Sequence, residues 1–265
     1  MSEDVYTHGH HDSVLRSHRW RTAENSAAYL LARLRPGLDL LDVGCGPGTI
    51  SGDLAARVAP GRVVGLDAAA DVIAEASASV VSANVEFRTG DVYALDFDDD
   101  SFDVVHAHQV LQHLTDPVAA LREMRRVLRA NGTLAVRDSD YRQFAWAPAD
   151  SRLDRWMELY QRVTRHNGAE PDAGRYLLGW VRAAGFDDVV VSTSTWTFAD
   201  DESRAWWGSL WAERATQSSF ATQAVEYGFT TIDELTQIAE GFRDWSTNAG
   251  GYFCIPHGEI LATHR

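Results

Sequence analysis

The sequence predicts an α/β fold in which helices cover both faces of a mostly parallel sheet. Apolar strand-like and helix-like segments alternate five times between residues 40 and 138, and this alternation is typical of parallel sheets. The loop Gly44–Gly48 separates the first apolar run from a helix-like segment, as in nucleotide-binding turns. Polar residues fall at the carboxyl ends of the predicted strands: Asp42, Asp67, Asp91, His108 and Asp138. Because such sheets bind ligands beyond the carboxyl ends of their strands, these residues are expected to converge on one site.

The predicted elements follow from apolar runs and their Gly, Pro and Asn stops. Strands are expected at 40–43, 63–67, 85–92, 102–108, 133–138, 189–196 and 251–261, the last with a bulge or kink at Pro256. Helices are expected at 49–58, 71–82, 117–128, 153–163 and 176–184, and one or two more run to residue 34.

Domain organisation is predicted to be simple, because repeats, low-complexity tracts and linker-like stretches are absent from the sequence. We expect one domain over 1–265, with a helical arm at 1–36 and a ligand-binding core at 37–140. Helical insertions at 141–172 and 200–248 are expected to form a lid over the substrate site.

Composition limits the classes of function. The 265 residues carry a formal net charge of −14, with 45% apolar residues. Nucleic-acid binding needs clustered Lys and Arg and is therefore not expected. The two cysteines predict a reducing compartment rather than a disulfide framework. Without a signal peptide or an 18-residue apolar run, the sequence predicts a cytoplasmic protein with no membrane span.

The histidines near the N-terminus raise the question of a metal. His8, His10 and His11 lack the spacing of a helical zinc site, and no cysteine or acid cluster accompanies them. No metal is therefore predicted, and an arm that is solvated or faces the substrate is the favoured interpretation.

An aromatic stretch at 205–245 contains Trp206, Trp207 and Trp211 at near-helical spacing. Three interpretations remain open: core packing, a hydrophobic chamber for an apolar or aromatic metabolite, or the surface of a homodimer. The net acidity weakly disfavours an anionic metabolite.

Five motifs, in this order, cover about residues 38–140: LDVGCGPGT (41–49), VGLD (64–67), GDV (90–92), FDV (102–104) with QVLQH (109–113), and RVLRANGT (126–133). Together they resemble the class I S-adenosylmethionine-dependent methyltransferases, in particular those similar to ubiquinone/menaquinone-biosynthesis enzymes. The resemblance implies a Rossmann-like sheet of seven strands with the seventh inserted antiparallel. It also implies S-adenosylmethionine as cofactor and methyl transfer to a small-molecule acceptor by in-line displacement.

For the methionine part of the cofactor, the resemblance implies contacts with Gly44, Cys45 and Gly46 through backbone groups. Asp42 is expected to reach the amino group, directly or through water, and Thr49 closes the loop motif at the start of the next helix.

For the nucleoside, the resemblance assigns both ribose hydroxyls to Asp67 and places Ala68 beside the adenine. Gly90 and Asp91 precede Val92 in the third motif. The Asp91 carboxylate is expected to accept a hydrogen bond from the adenine amino group, and the Val92 N–H is expected to donate one to a ring nitrogen. A helix N-cap is the alternative interpretation of Asp67.

Gln109 is expected to contact the methionine end, and Tyr6 to fold over the cofactor with the arm, unless the terminus is simply solvated. His113 is the candidate catalytic residue that orients or deprotonates the acceptor; a structural histidine bonded to backbone is its alternative. His108, His166 and the N-terminal histidines are further candidate bases.

Two alternatives belong to other classes of function. A nicotinamide-linked oxidoreductase is disfavoured, because the spacing is Gly-x-Gly-x-Gly and Pro47 removes an amide that a pyrophosphate uses. A catalytically inactive binding module on the same fold is the second alternative.

Overall fold

The computed structural model describes residues 4–7, 9 and 11–265. Within these residues the strands are β1 (Leu40–Val43), β2 (Val63–Asp67), β3 (Val85–Thr89), β4 (Phe102–His108), β5 (Leu128–Ser139), β6 (Ala145–Ala147), β7 (Asp188–Phe198) and β8 (Tyr252–Thr263). The α-helices are α1 (Asp12–Arg19), α2 (Ala23–Ser26), α3 (Ala28–Leu31), α4 (Thr49–Val58), α5 (Ala70–Ser79), α6 (Pro117–Arg126), α7 (Ser151–His166), α8 (Leu177–Ala183), α9 (Asp201–Gln217), α10 (Ser219–Glu226) and α11 (Ile232–Thr247).

These strands form one sheet in the order β3-β2-β1-β4-β5-β8, and β7 pairs with the other edge of β8. Pairing is parallel from β3 to β5, whereas β8 runs antiparallel to both β5 and β7. The predicted mostly parallel sheet with an inserted antiparallel strand is therefore confirmed. The eighth strand, β6, was not predicted; it pairs three residues with the start of β8, beyond the end of β5.

Helices cover both faces of the sheet, as predicted. Along β1, Leu40 packs in the apolar cluster that contains Leu54 of α4, whereas Leu41 and Val43 pack in the cluster that contains Leu121 of α6. Strands buried on both faces read as continuous apolar runs, which explains why they were recognisable in the sequence.

Several element ends differ from prediction. The strand expected at 85–92 ends at Thr89, so that Gly90, Asp91 and Val92 lie in the following loop. The helices expected to end at 82 and 128 end at Ser79 and Arg126. Over its described residues, the arm contains three short helices rather than one or two.

The expectation of a bulge or kink at Pro256 was wrong. Pairing with β7 runs without a register shift through Thr195–Pro256, and the carbonyl of Pro256 accepts a hydrogen bond from the Asp140 N–H at 3.1 Å. On the edge of β8 opposite β7, Pro256 lies between the residues paired with β5 and those paired with β6. The missing N–H of proline therefore falls where no ladder partner requires it.

The predicted insertions contain α7 and α9–α11, which pack into an aromatic cluster. At its centre Trp156 meets Trp211 edge to face at 4.5 Å between ring centroids, and Phe242 stacks on Trp211 at 5.8 Å. Trp207 and Trp211 are buried and Trp206 is half-buried within the chain. Core packing therefore accounts for Trp207 and Trp211, and a homodimer surface formed by the stretch 205–245 stays a prediction.

His8 and His10 lie outside the described residues, whereas the His11 side chain caps α1 by accepting from the Ser13 N–H at 3.2 Å. Among the residues described, no group of three or more His, Cys, Asp and Glu side chains has a metal-binding arrangement. Over the same residues, no helix has both the length and the apolarity to cross a bilayer.

Candidate active site

A cavity of about 310 Å³ lies at the carboxyl ends of β1, β2 and β4. The thirteen site residues predicted from the sequence all line it: Tyr6, Asp42, Gly44, Cys45, Gly46, Thr49, Asp67, Ala68, Gly90, Asp91, Val92, Gln109 and His113. Their convergence follows from the parallel pairing of β1 with β2 and β4, which brings the ends of these strands to one edge. Asp138, expected at the same edge, is fully buried and does not line the cavity.

The loop between β1 and α4 exposes backbone to the cavity. Gly44 and Gly46 have φ of +64° and +54°, conformations that L side chains rarely adopt. A Cβ added at Gly44 would lie 2.4 Å from Cγ2 of Val110, and one added at Gly46 would meet nothing closer than Nδ1 of His18 at 3.8 Å. The loop therefore offers a bare surface on which a ligand can approach the main chain.

Asp67 closes β2 and holds this loop. Its Oδ2 accepts a hydrogen bond from the Gly46 N–H at 3.1 Å, and its Oδ1 accepts one from the Ala69 N–H at 3.1 Å. Helix α5 has Ala69 at its N-cap and no side-chain cap, so the N-cap interpretation of Asp67 was wrong. Each carboxylate oxygen has a second lone pair, which leaves capacity for hydroxyl donors.

The loop after β3 brings Asp91 and Val92 to the same cavity. Asp91 is exposed, and its Oδ1 accepts from the Tyr93 N–H at 2.8 Å, which fixes the carboxylate beside the loop backbone. Ala68 is also exposed, opposite this loop on the turn after β2.

Asp42 differs from half-buried Asp67 and exposed Asp91 because it is buried within β1. Its Oδ2 accepts from the Ser51 hydroxyl at 2.5 Å, and its Oδ1 lies 2.7 Å from Nδ1 of His106. These contacts tie β1 to α4 and β4 directly beneath the glycine loop.

Gln109 follows β4 and connects three parts of the chain. Its φ is +55°, unusual for a residue with a side chain, and its N–H donates to the Arg137 carbonyl at 2.7 Å. Its Oε1 accepts from Arg21 at 2.7 Å, and its Nε2 lies 2.8 Å from Nε2 of His257. Strained residues of this kind cluster at binding sites.

His113 lies on a short 3₁₀ turn after β4, against Tyr6 of the arm. The two rings meet edge to face at 4.8 Å between centroids, and the Tyr6 hydroxyl lies 3.3 Å from Nε2 of His18. Burial, with the charge of Arg21, lowers the pKa of His113 to about 3. Burial raises the pKa of Tyr6 to about 12, so both rings are neutral near pH 7.

The other candidate bases are placed differently. His108 lines the cavity, and burial, followed by the charges of Arg137 and Arg21, holds its pKa well below the usual range. His166 lies at the end of α7 against Tyr227, at 4.2 Å between ring centroids, and is not among the cavity-lining residues.

Sequence reasoning missed the far end of the cavity. Arg21, Tyr141, Trp196, Arg214 and Ile255 line it and come from five separate segments of the chain. One signal was available: Arg214 follows Trp207 and Trp211 at helical spacing, and a charged residue on an apolar helix face is uncommon.

The sheet order, the glycine loop after β1 and the acid that closes β2 define a class I S-adenosylmethionine-dependent methyltransferase. The family model described as "Methyltransferase domain" matches residues 34–196, and the chain belongs to this family. Its cofactor is S-adenosylmethionine. The resemblance found in the sequence is thereby confirmed, and the nicotinamide-linked oxidoreductase was wrong.

Similar proteins extend this result. An uncharacterized methyltransferase of Schizosaccharomyces pombe is 32% identical over 267 residues, covering 97% of this chain and 95% of that protein. A demethylmenaquinone methyltransferase of Roseiflexus castenholzii is 34% identical over 143 residues, 52% of this chain and 57% of that protein. The crystal structure of YcgJ from Bacillus subtilis shares the fold, with a TM-score of 0.58 and 21% identity over 97% of this chain and 99% of that one.

Proposed function

We propose that this methyltransferase acts on a small apolar or aromatic molecule bound at the far end of the cavity. The observation that carries the proposal is the aromatic wall of that end: Trp196, Trp207, Trp211, Tyr141 and Phe144. A cavity of about 310 Å³ is of the size that binds small molecules, and apolar walls with a few polar groups are typical of such sites.

The nucleoside end of the cofactor is assigned to the loops after β2 and β3. Asp67 would accept the two ribose hydroxyls with the lone pairs that Gly46 and Ala69 leave available. Asp91 and the Val92 N–H would take the adenine edge, with Ala68 beside its ring and Gly90 keeping the loop bare.

The methionine end is assigned to the glycine loop. Backbone groups of Gly44, Cys45 and Gly46 would meet its amino and carboxylate groups, close to Thr49 at the start of α4. Gln109 would contact the same end from β4, while buried Asp42 would reach the amino group directly or through water.

S-adenosylmethionine supplies a methyl group that is already activated, so the chain's own contributions are alignment and exclusion of water. The helices in 141–172 and 200–248 would form the lid that excludes water, and Tyr6 would cover the cavity from the arm. Trp207 and Trp211 of α9 line the cavity and belong to this lid.

His113 is assigned an orienting role. A group whose pKa lies about 3 holds a proton weakly near pH 7, which makes it a poor general base. Its neutral imidazole can instead hydrogen-bond a polar atom of the acceptor.

The test is transfer of a tritiated methyl group from S-adenosylmethionine into an extract of small metabolites, followed by identification of the labelled product. We expect the label in a low-molecular-weight compound with an apolar or aromatic body. Label confined to protein or nucleic acid, or no transfer at all, would reject the proposal; the last result would support the inactive binding module.

Adjacent tryptophans provide a matched pair of variants. Trp207 lines the cavity, whereas Trp206 packs against Trp20 at 5.3 Å between ring centroids and is not among the lining residues. Trp207→Leu should raise KM for the identified acceptor, and Trp206→Leu should leave it near the wild-type value. Equal effects of the two changes would contradict the placement of the acceptor.

A further inference from the structure

Two arginines line the far end of the cavity. Arg21 follows α1 in the arm, and Arg214 lies on α9 with about 4% of its surface exposed. Both are close to Tyr6 and Tyr141, and the charge of Arg214 contributes, after burial, to lowering the pKa of Arg21 to about 10. Both guanidinium groups nevertheless carry a positive charge near pH 7.

Neither arginine is paired with a carboxylate within the described part of the chain. Arg21 donates to the Gln109 amide oxygen at 2.7 Å. Arg214 donates to the Ser13 carbonyl at 3.0 Å and the Ser17 hydroxyl at 2.9 Å, and its guanidinium lies 4.6 Å from the Trp211 ring centroid. The Nε atoms of both side chains are buried and, among the described atoms, have no hydrogen-bond partner.

Two other buried arginines of this chain have carboxylate partners. Arg137 lies 3.3 Å from Glu259, and Arg204 pairs with Asp201. Removing a guanidinium from water is costly unless an opposite charge compensates it. The two arginines at the cavity therefore lack a counter-charge that this protein supplies elsewhere.

The carboxylates that line the cavity do not fill this gap. Asp42, Asp67 and Asp91 belong to the cofactor end, and Asp4 accepts a hydrogen bond from the Thr115 N–H at 2.9 Å. S-adenosylmethionine carries a sulfonium, an amino group and one carboxylate, so it adds a net positive charge to the same cavity, and its carboxylate is assigned to the glycine loop. An anionic acceptor would balance these charges.

We propose that the methyl acceptor is an aromatic or apolar monocarboxylate whose carboxylate binds to Arg21 and Arg214. Its apolar body lies against Trp196 and Trp211. The inference rests on the proposed function and adds the charge and polar group of the acceptor. The net charge of −14 led to the opposite expectation, but net charge describes the whole surface, whereas two specific side chains decide this end of the cavity.

The experiment compares aromatic acids with their primary amides, which are similar in size but uncharged. Phenylacetate and indole-3-acetate, each with its amide, are titrated calorimetrically into the protein saturated with S-adenosylhomocysteine. Because hydrogen bonds to charged groups are stronger than neutral ones, we expect each acid to bind about tenfold more tightly than its amide, or more.

The variants locate the effect. Arg21→Gln and Arg214→Gln should each weaken binding of the acids about tenfold and leave the amides within about twofold. Arg35→Gln, at an exposed arginine outside the cavity, is the matched control and should change neither. An unchanged Tm identifies variants that are still folded, and the wild-type comparison stands even if the Arg214 variant is not. Because Arg21 is bonded to Gln109, weaker binding of S-adenosylhomocysteine by a folded Arg21→Gln variant would assign Arg21 to the cofactor carboxylate and overturn its role at the acceptor.

Equal binding of acid and amide, or no binding of either, would overturn the inference. Its failure is distinguishable from failure of the proposed function. Methyl transfer to a neutral aromatic compound without binding of the acids would retain the function and remove the carboxylate site. Binding of the acids without methyl transfer to any small molecule would retain the carboxylate site and remove the proposed function.

Discussion

Replacement of Asp67 by asparagine is the most direct test of how the cofactor is held. The change preserves the shape of the side chain but removes its charge at the end of β2. In the native protein the two carboxylate oxygens accept from the Gly46 and Ala69 N–H groups. An amide can accept at only one of these positions and presents an NH₂ group to the other.

Two losses of different kind are expected. If Asp67 accepts both ribose hydroxyls, the variant loses charge-assisted hydrogen bonds of about 1.5–3 kcal/mol each, of which the amide recovers about half. The net loss of about 1.5–3 kcal/mol corresponds to roughly 10- to 150-fold weaker cofactor binding. Separately, the unsatisfied loop N–H costs about 1–3 kcal/mol of folding stability, equivalent to about 2–4 °C in Tm per kcal/mol at this chain length.

Calorimetric titration with S-adenosylhomocysteine measures the first loss, and thermal unfolding without ligand measures the second. Asp98→Asn is the matched control, because Asp98 is an exposed acid that does not line the cavity. A Kd for Asp67→Asn within twofold of wild type, in a protein with normal Tm, would refute the ribose role of Asp67.

Three further predictions concern the loop, the candidate catalytic residue and a buried acid. Gly44→Ala places a Cβ 2.4 Å from Val110 at a φ of +64°, and should cost about 1–3 kcal/mol in urea unfolding, partly restored by Val110→Ala; an unchanged unfolding free energy would be inconsistent with this conformation. His113→Gln should give a kcat–pH profile parallel to wild type between pH 5.5 and 8.5, because the native pKa is about 3; a wild-type inflection near pH 6.5 that the variant lacks would argue for proton transfer by His113. The same depressed pKa means that the unfolded chain is protonated first, so the stability contributed by neutral His113 is lost as pH falls from about 6.5 towards 3. At Asp138 the pH dependence of stability has the opposite sign. Burial raises its pKa to about 8, so the folded form retains a proton that the unfolded chain releases above about 4. Asp138→Asn should therefore gain stability relative to wild type as pH rises from 4 to 8, measured by guanidinium unfolding at pH 5, 7 and 9, and a constant difference across these values would show that Asp138 is ionised.

The order of elements between 40 and 138 could be predicted because its signals are local. Each strand there is a short apolar run, and Gly, Pro or Asn ends the segments. β6 has no such signal, since its three residues are held as a strand only by pairing with β8. Pro256 misled for the same reason: whether a missing N–H disturbs a strand depends on its neighbour in the sheet, which the sequence does not specify.

The near end of the site could be predicted because topology gathers it. Residues that follow parallel strands meet at one edge, so Asp67, Asp91 and Gln109 could be grouped without coordinates. The hydrogen bonds of Gln109 to Arg21 and His257 could not, because each joins segments far apart in the chain.

The far end shows why total charge is a poor guide to a buried site. Most acids of this chain are on its surface, where water and salt screen them, and they say little about a cavity. Arg21 and Arg214 are far apart in the sequence and line the same cavity, where Arg214 of α9 is bonded to Ser13 and Ser17 of α1. Contacts that hold these arginines in place use neutral acceptors, so their positive charge is positioned but not cancelled. The proposed carboxylate site needs this arrangement, since a permanent carboxylate partner would compete with the ligand.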